Sequence, residues 1–502
     1  MKKRFFRDIL PHRFLPILML AAQAGLLFHV FLTKNPITEA LSILLELLSL
    51  LLCLRLISSD EKAEFKIGWI LLLLLLPLFG LGMYGLFHGA ATRRFGRRVA
   101  KSEAITAGAM PPSAPLANLP HMHAAQARYL TNRGFPLCAN TKSTYYPLGD
   151  RAFDQMLADL EQAERYIFLE YFILEEGQMW EQMLAILRKK AAQGVTVRVI
   201  YDDLGSFFLL SPDFPQRMEA LGISCVAFNP FRPLLAAKQN NRDHRKILSV
   251  DGRIAYTGGI NIADEYVGLK DRCGFWKDTA LRLEGSGAWS LTVMFLQTWQ
   301  LCTQAAELPE RFRPAPCPAP DLGWVQPYCD SPTDKESVGE AVYLNLIHAA
   351  REYLYLTTPY LIPTDSLVSA LVQAAKSGVD VRIAIPSVSD NKLAEFAGRS
   401  YYRTLLDGGV KLYRYDPGFI HAKIFLCDGT AGTVGTVNMD FRSLCLHFEC
   451  GVCLYGTESL AAIRQDLDDV FAQSTPILPA DLRGGFFTDL ALKLLRLFAP
   501  LL

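Results

Sequence analysis

Residues 244–252 read HRKILSVDG and residues 421–429 read HAKIFLCDG, so one nine-residue phrase recurs after 177 positions. Working outward, both copies have the same neighbours. The first is preceded by AERYIFLEYF (163–172), a helical stretch, AAQGVTVRVI (191–200) and ALGISCVAFNP (220–230). The second is preceded by AREYLYLTTPY (350–360), a helical stretch, AAKSGVDVRIAI (374–385) and DGGVKLYRYDP (407–417). Equal order and spacing make this an internal repeat. Each G-V-x-V-R unit joins a helix end and a glycine stop to a β-branched strand, the alternation of a sheet covered by helices. The predicted class is α/β, with transmembrane helices at the N-terminus and then two pseudo-symmetric lobes with central sheets.

The membrane reading rests on the first ninety residues. Of the 502 residues 51% are apolar, and the mean hydropathy is positive. Residues 14–32 and 67–87 are each long and apolar enough to cross a hydrocarbon core and are expected to span it. Residues 40–57 are equally apolar but carry Glu46, so they form either a third span or an interfacial helix. Lys2, Lys3, Arg4 and Arg7 with Ala22 and Ala24 also fit a cleaved leader, but the apolar run continues beyond Ala24, which favours an anchor. Arg93, Arg94, Arg97, Arg98 and Lys101 place the rest of the chain on the cytoplasmic side, and the basic N-terminus argues for the same side, which needs an even number of spans. The expected division is a membrane anchor at 1–90, a basic and Pro/Ala-rich linker at 91–125, lobes at 126–310 and 336–480 with a Pro-rich connection at 311–335, and an amphipathic helix at 481–502.

On a strand, residues two apart share a face, so His244 and Lys246 project together, as do His421 and Lys423. Asp251-Gly252 and Asp428-Gly429 supply a tight hairpin turn, and the two aspartates complete the candidate catalytic set. Asn261 and Asn438 both fall 17 residues after their histidine, in TGGIN and VGTVN, where Gly258 and Gly435 would let backbone approach a ligand closely. A lone HxK is usually a satisfied core histidine beside a solvated lysine. By ordinary residue usage a full HxKxxxxD should arise about 0.02 times in a chain with nine histidines, and here it occurs twice at matching positions.

Two histidines, two lysines and two asparagines suit a phosphodiester. Ammonium and amide donors hold the non-bridging oxygens. One neutral imidazole attacks phosphorus and the other, protonated, serves the departing alkoxide, with no metal or cofactor required. Such a histidine needs an orienting carboxylate; Asp278 and Glu449, one strand downstream of their respective motifs, are the candidates, with ordinary surface charge as the bland alternative.

The paired HxKxxxxD with its following GGxN or GTxN resembles the phospholipase D superfamily over residues 140–475. The membrane end, YTGGINIADEY, FWKDTALRLEG, LTTPYLIP, GTVNMDFRSL and the final APLL resemble bacterial cardiolipin synthases along nearly the whole chain. That resemblance implies two phospholipase D-type lobes that join two phosphatidylglycerols into cardiolipin and glycerol through a phosphatidyl-histidine. It suggests His244 as nucleophile and His421 as acid then base, although pseudo-symmetry leaves the exchanged assignment open. The chain departs from the family pattern in an additional apolar segment and in Cys445 and His447 within RSLCLHFE.

The partners implied are a phospholipid bilayer and phosphatidylglycerol. In the C-terminal stretch Phe487, Leu490, Leu494, Phe498 and Leu501 share one helical face, read as interfacial rather than packed on the lobes. Competing readings are a membrane-bound phospholipase D, a transferase using another alcohol, and a membrane scaffold. Nucleic acid is not expected: 51 Lys plus Arg balance 50 Asp plus Glu, and Arg242, Arg245 and the membrane-adjacent arginines form no basic stripe with aromatics. The eleven cysteines read as free thiols. Cys450 and Cys453 are either half of a zinc site, with Cys445 and His447 upstream, or alternating strand residues.

Overall fold

The computed structural model describes residues 10–497 except 60, 89, 232–238, 306, 316–318, 320–322, 335 and 483–484. Phe498 and Leu501 of the C-terminal face lie outside these residues, as does the side chain of Phe487.

Each repeat folds into a mixed sheet. The first contains β1 (Thr141–Tyr146), β2 (Tyr166–Tyr171), β3 (Thr196–Asp202), β4 (Ile223–Phe228), β5 (Lys246–Val250), β6 (Ile254–Gly258) and β8 (Ala280–Gly285), in the order β1-β8-β6-β5-β2-β3-β4; β7 (Phe275–Lys277) stands apart. The second is built from β9 (Trp324–Asp330), β10 (Tyr353–Thr357), β12 (Asp380–Pro386), β13 (Lys411–Tyr415), β15 (Ile424–Cys427), β16 (Ala431–Gly435), β18 (Glu449–Tyr455) and β19 (Ser474–Pro476), while the short β11 (Leu361–Ile362) and β17 (Met439–Asp440) pair with each other. Its order is β19-β13-β12-β10-β15-β16-β18-β9. Thus β5, flanked by β6 and β2, corresponds to β15, flanked by β16 and β10. The parallel run β2-β3-β4 likewise matches β10-β12-β13. The segments between parallel strands form helices Gln178–Ala192 and Asp365–Lys376, which end at the expected stops, Gly194 and Gly378, with φ of 90° and 97°.

The lobes share one core. Helices Ser286–Thr303 and Ser459–Ala472 follow β8 and β18, and Trp289, Phe295, Leu460 and Leu467 join a single buried cluster with residues of both sheets. Two departures from the expected division follow from pairing. Strand β9 lies inside the expected 311–335 connection yet completes the second sheet against β18, and helix His121–Asn132 packs on the second lobe, where Gln126 donates to the Cys453 thiol.

The apolar end forms α1 (Leu10–Thr33), α2 (Pro36–Ile57), α3 (Ala63–Leu75) and α4 (Pro77–Phe87). Within α1 and α2, Leu15–Thr33 and Pro36–Ile57 are long and apolar enough to cross a membrane. The expected single span at 67–87 is instead broken. Pro77 cannot continue the helix, Leu76 leaves helical geometry, and the chain turns back so sharply that a Cβ on Gly80 would lie 2.9 Å from the Leu73 Cα. At 13 and 11 residues, each arm is too short to cross roughly 30 Å. The amides of Leu78 and Phe79, exposed by the break, donate to Gln23 Oε1 in the middle of α1. The base of α3 is fixed to the second lobe by the Lys62–Glu340 ion pair and the Phe65–Phe441 ring contact.

Candidate active site

The two lobes meet through backbone exchanged at the histidines. The amide of His244 donates to the carbonyl of Phe448 at 2.9 Å, and that of His421 donates to the carbonyl of Lys277 at 2.7 Å. Strand β14 (Gly418–Ile420), just ahead of His421, pairs in parallel with β7 of the first lobe. Because Phe448 precedes Glu449 and Lys277 precedes Asp278, this exchange sets each carboxylate beside the other lobe's imidazole. His244 Nδ1 lies 2.9 Å from both Glu449 oxygens, and His421 Nδ1 lies 2.6 Å from Asp278 Oδ2. The order of strands along the chain conceals this crossing, because it does not say which imidazole each carboxylate faces.

Both carboxylates are completely buried and further bonded. Glu449 accepts from the hydroxyls of Thr436 and Ser443, and Asp278 accepts from the Thr279 amide. In each case burial raises the carboxyl pKa, but the facing histidine together with a second partner, His447 at Glu449 and Lys423 at Asp278, outweighs it and the net displacement is downward. Burial lowers both histidines below the ordinary imidazole range, His244 to about 3, so both rings rest neutral. Lys246 and Lys423 donate to the carbonyls of His244 and His421. Burial lowers them to about 8 and about 7, with the second ammonium adding repulsion at Lys423.

His244, His421, Asn261 and Asn438 line one cavity of about 190 Å³, with Tyr266, Trp276, Arg272, Tyr360 and His447 among its other walls. Asn261 is fixed by the Ile173 amide and by Tyr266, whereas the buried Oδ1 of Asn438 has no protein partner. Tyr266 and Trp276 also flank the His421 ring at 5.6 Å; they sit in the quoted IADEY and FWKD stretches, but nothing in their spacing marked them as walls of the site.

Asp251 and Asp428 are not in the cavity. Each occupies a left-handed turn position, with φ of 54° and 49°, at the far end of the strand from its histidine. The Asp251 carboxylate accepts from the amides of Glu164, Arg165 and Tyr166, and that of Asp428 from Arg351, Glu352 and Tyr353. Their place in the catalytic set is therefore corrected: they tie the hairpin to the start of β2 or β10. Gly258 and Gly435 are also reassigned, because a Cβ there would strike Thr279 O at 2.3 Å or Cys450 O at 2.5 Å, so they admit a neighbouring strand rather than a ligand. Cys450 and Cys453 belong to clusters on opposite faces of the sheet, which rules out a shared metal. Arg242 and Arg245 are buried in ion pairs with Asp202 and with Glu170 and Asp243.

Two sheets with paired motifs facing across a pseudo-twofold define the phospholipase D fold. The same fold occurs in the phosphatidylserine synthase of Haemophilus influenzae, with a TM-score of 0.56 at 14% identity, covering 75% of this chain and 98% of that one. The family described as cardiolipin synthase, PLD-like domain, matches residues 156–278 and 343–472, and the family described as phospholipase D-nuclease N-terminal matches residues 47–87. A cardiolipin synthase of Geobacillus kaustophilus is 33% identical over 95% of this chain and 94% of its own length. An uncharacterized protein of Streptococcus mutans is 40% identical over 89% of this chain and 99% of its own. The chain belongs to the cardiolipin synthase family of the phospholipase D superfamily: it is a membrane-associated phosphatidyltransferase that acts on phospholipid.

Proposed function

We propose that the protein transfers the phosphatidyl group of one phosphatidylglycerol to a second, giving cardiolipin and releasing glycerol. The observation that carries this reading is the single cavity lined by two imidazoles, each backed by a carboxylate of the opposite lobe. His244, neutral and oriented by Glu449, attacks phosphorus. The P–O bond to the glycerol headgroup breaks, and the departing oxygen takes a proton from His421, which the incoming phosphodiester charge has favoured in its protonated form. His421, now neutral and oriented by Asp278, removes a proton from a hydroxyl of the second phosphatidylglycerol. That oxygen attacks phosphorus and the P–N bond to His244 breaks, giving cardiolipin. Lys246, Lys423, Asn261 and Asn438 hold the non-bridging oxygens, worth several kcal/mol at the transition state.

Topologically, α1 and α2 form two spans, and α3–α4 a re-entrant hairpin whose tip rests on Gln23. This even count keeps the N-terminus and the lobes on one side, and the arginines after the hairpin favour the cytoplasmic face. Product analysis with the purified protein in phosphatidylglycerol bilayers, with chelator, tests the reaction. Cardiolipin with equimolar glycerol from the parent, and background from His244→Ala and His421→Ala, is expected. Phosphatidic acid alone would replace transfer by hydrolysis.

A further inference from the structure

His447 is a third buried imidazole at this site that the proposed reaction does not use. It is 9% exposed, lines the cavity, and neither ring nitrogen has a protein hydrogen-bond partner. Its ring lies 5.6 Å from that of His244, and its Nδ1 lies 3.7 Å from Glu449 Oε1. Taking one ligand atom from each of His244, His447 and Glu449, all three lie within 4.8 Å of one another. A tetrahedral zinc ion, with bonds of roughly 2.0–2.1 Å, needs its donors roughly 3.4 Å apart. The carboxylate is 2.9 Å from one imidazole and 3.7 Å from the other, so small side-chain shifts suffice.

We propose that His244, His447 and Glu449 form an inhibitory site for a borderline divalent transition metal, with Zn2+ the best match. Two imidazoles and one carboxylate are its preferred donors, whereas Mg2+ and Ca2+ favour all-oxygen sites. The metal takes the place of the proton shared between His244 Nδ1 and Glu449; the neutral ring ligates through Nδ1 as its other tautomer, with the proton carried on Nε2, and the metal's fourth position faces the cavity. An imidazole so held loses the carboxylate that orients it and is turned away from phosphorus, so transfer stops until the metal is withdrawn. The loss of activity rests on the role proposed for His244; the binding of metal does not.

The test uses the full-length protein in detergent, stripped with chelator and compared with His447→Gln and, should that variant fold poorly, His447→Asn. Co2+ absorption reports ligation, competition with a chromophoric chelator reports Zn2+ affinity, and each variant's cardiolipin formation is referred to its own chelator-treated rate. The parent should show a His447-dependent tetrahedral Co2+ band, and Zn2+ should lower its activity at least tenfold, reversibly. In the variants the band should vanish and half-inhibition should require at least tenfold more Zn2+. Identical Co2+ spectra or identical half-inhibition in parent and variants would overturn the site. A His447-dependent band with undiminished activity would overturn the inhibitory role and, with it, the part given to His244.

Discussion

Glu449 lies 2.9 Å from His244 Nδ1 although the two belong to different lobes, 205 residues apart. Each imidazole is thus oriented only when the lobes are docked, and neither half carries a complete acid–base unit. Glu449→Gln keeps size and one acceptor oxygen but removes the charge, as Asp278→Asn does for His421. Each should lower kcat by about 10²–10⁴-fold, the cost of losing a histidine's orienting carboxylate. Rates measured beside melting curves check this. His244→Ala combined with Glu449→Gln should cost little more than His244→Ala alone, because the two act as one unit.

Asp251 and Asp428 predict the opposite pattern. Their carboxylates satisfy three backbone amides each, far from the cavity. Asp251→Ala should destabilise the fold by about 1–3 kcal/mol, the cost of orphaned donors, and leave kcat per folded molecule within a few-fold of the parent. Denaturant titration alongside active-site counting separates the two effects, and a thousandfold kcat loss in well-folded protein would return these aspartates to the chemistry.

Duplication explains why so much was legible. His244, Lys246 and Asn261 could each pass for core or surface residues alone, but their counterparts at equal spacing exposed them, and the same repeat revealed the succession of strands and helices along both lobes. What one dimension concealed was exchange. That Phe448 would bind His244, and Lys277 His421, depends on which strand edges meet across the lobe interface, and no periodicity records that. The membrane end was misjudged for another reason: a hydropathy window averages across Pro77, while the break depends on that single residue and on Gln23, a polar side chain within an apolar helix. His447 had a visible signal, a histidine two positions before Glu449, but without a repeat partner nothing connected it to the site.

The pH profile follows from the two lysines. Burial brings Lys246 to about 8 and Lys423 to about 7, so raising the pH through this range removes the cations proposed to hold phosphate. The value of kcat/KM should therefore fall as pH rises from 7 to 9. On the acid side, His244 is depressed to about 3, so its protonation should not reduce kcat/KM near pH 6.5, where an ordinary imidazole would titrate. Lys423→Arg, whose guanidinium stays charged, should be slower but lose the lower step of the alkaline limb. An unchanged limb in that variant would remove Lys423 from phosphate binding.

The C-terminal helix, Phe486–Leu497, combines the two alternatives posed for it. Leu495 packs on the core of the second lobe, and Arg496 pairs with Asp365 and covers the Tyr401 ring, while Leu490 and Leu494 face outward at 43% and 54% exposure. The helix also touches α3, one arm of the apolar hairpin. Half-exposed leucines beside a membrane hairpin fit insertion at the bilayer boundary, each worth about 1 kcal/mol of apolar burial. Replacing both by Glu should reduce kcat/KM on bilayer phosphatidylglycerol about tenfold, because the cavity mouth is no longer held at the lipid surface. The rate on a short-chain, monodisperse phosphatidylglycerol should hold, since Leu495 and Arg496 still anchor the helix. Equal losses on both substrates would assign the helix a purely structural role in the second lobe.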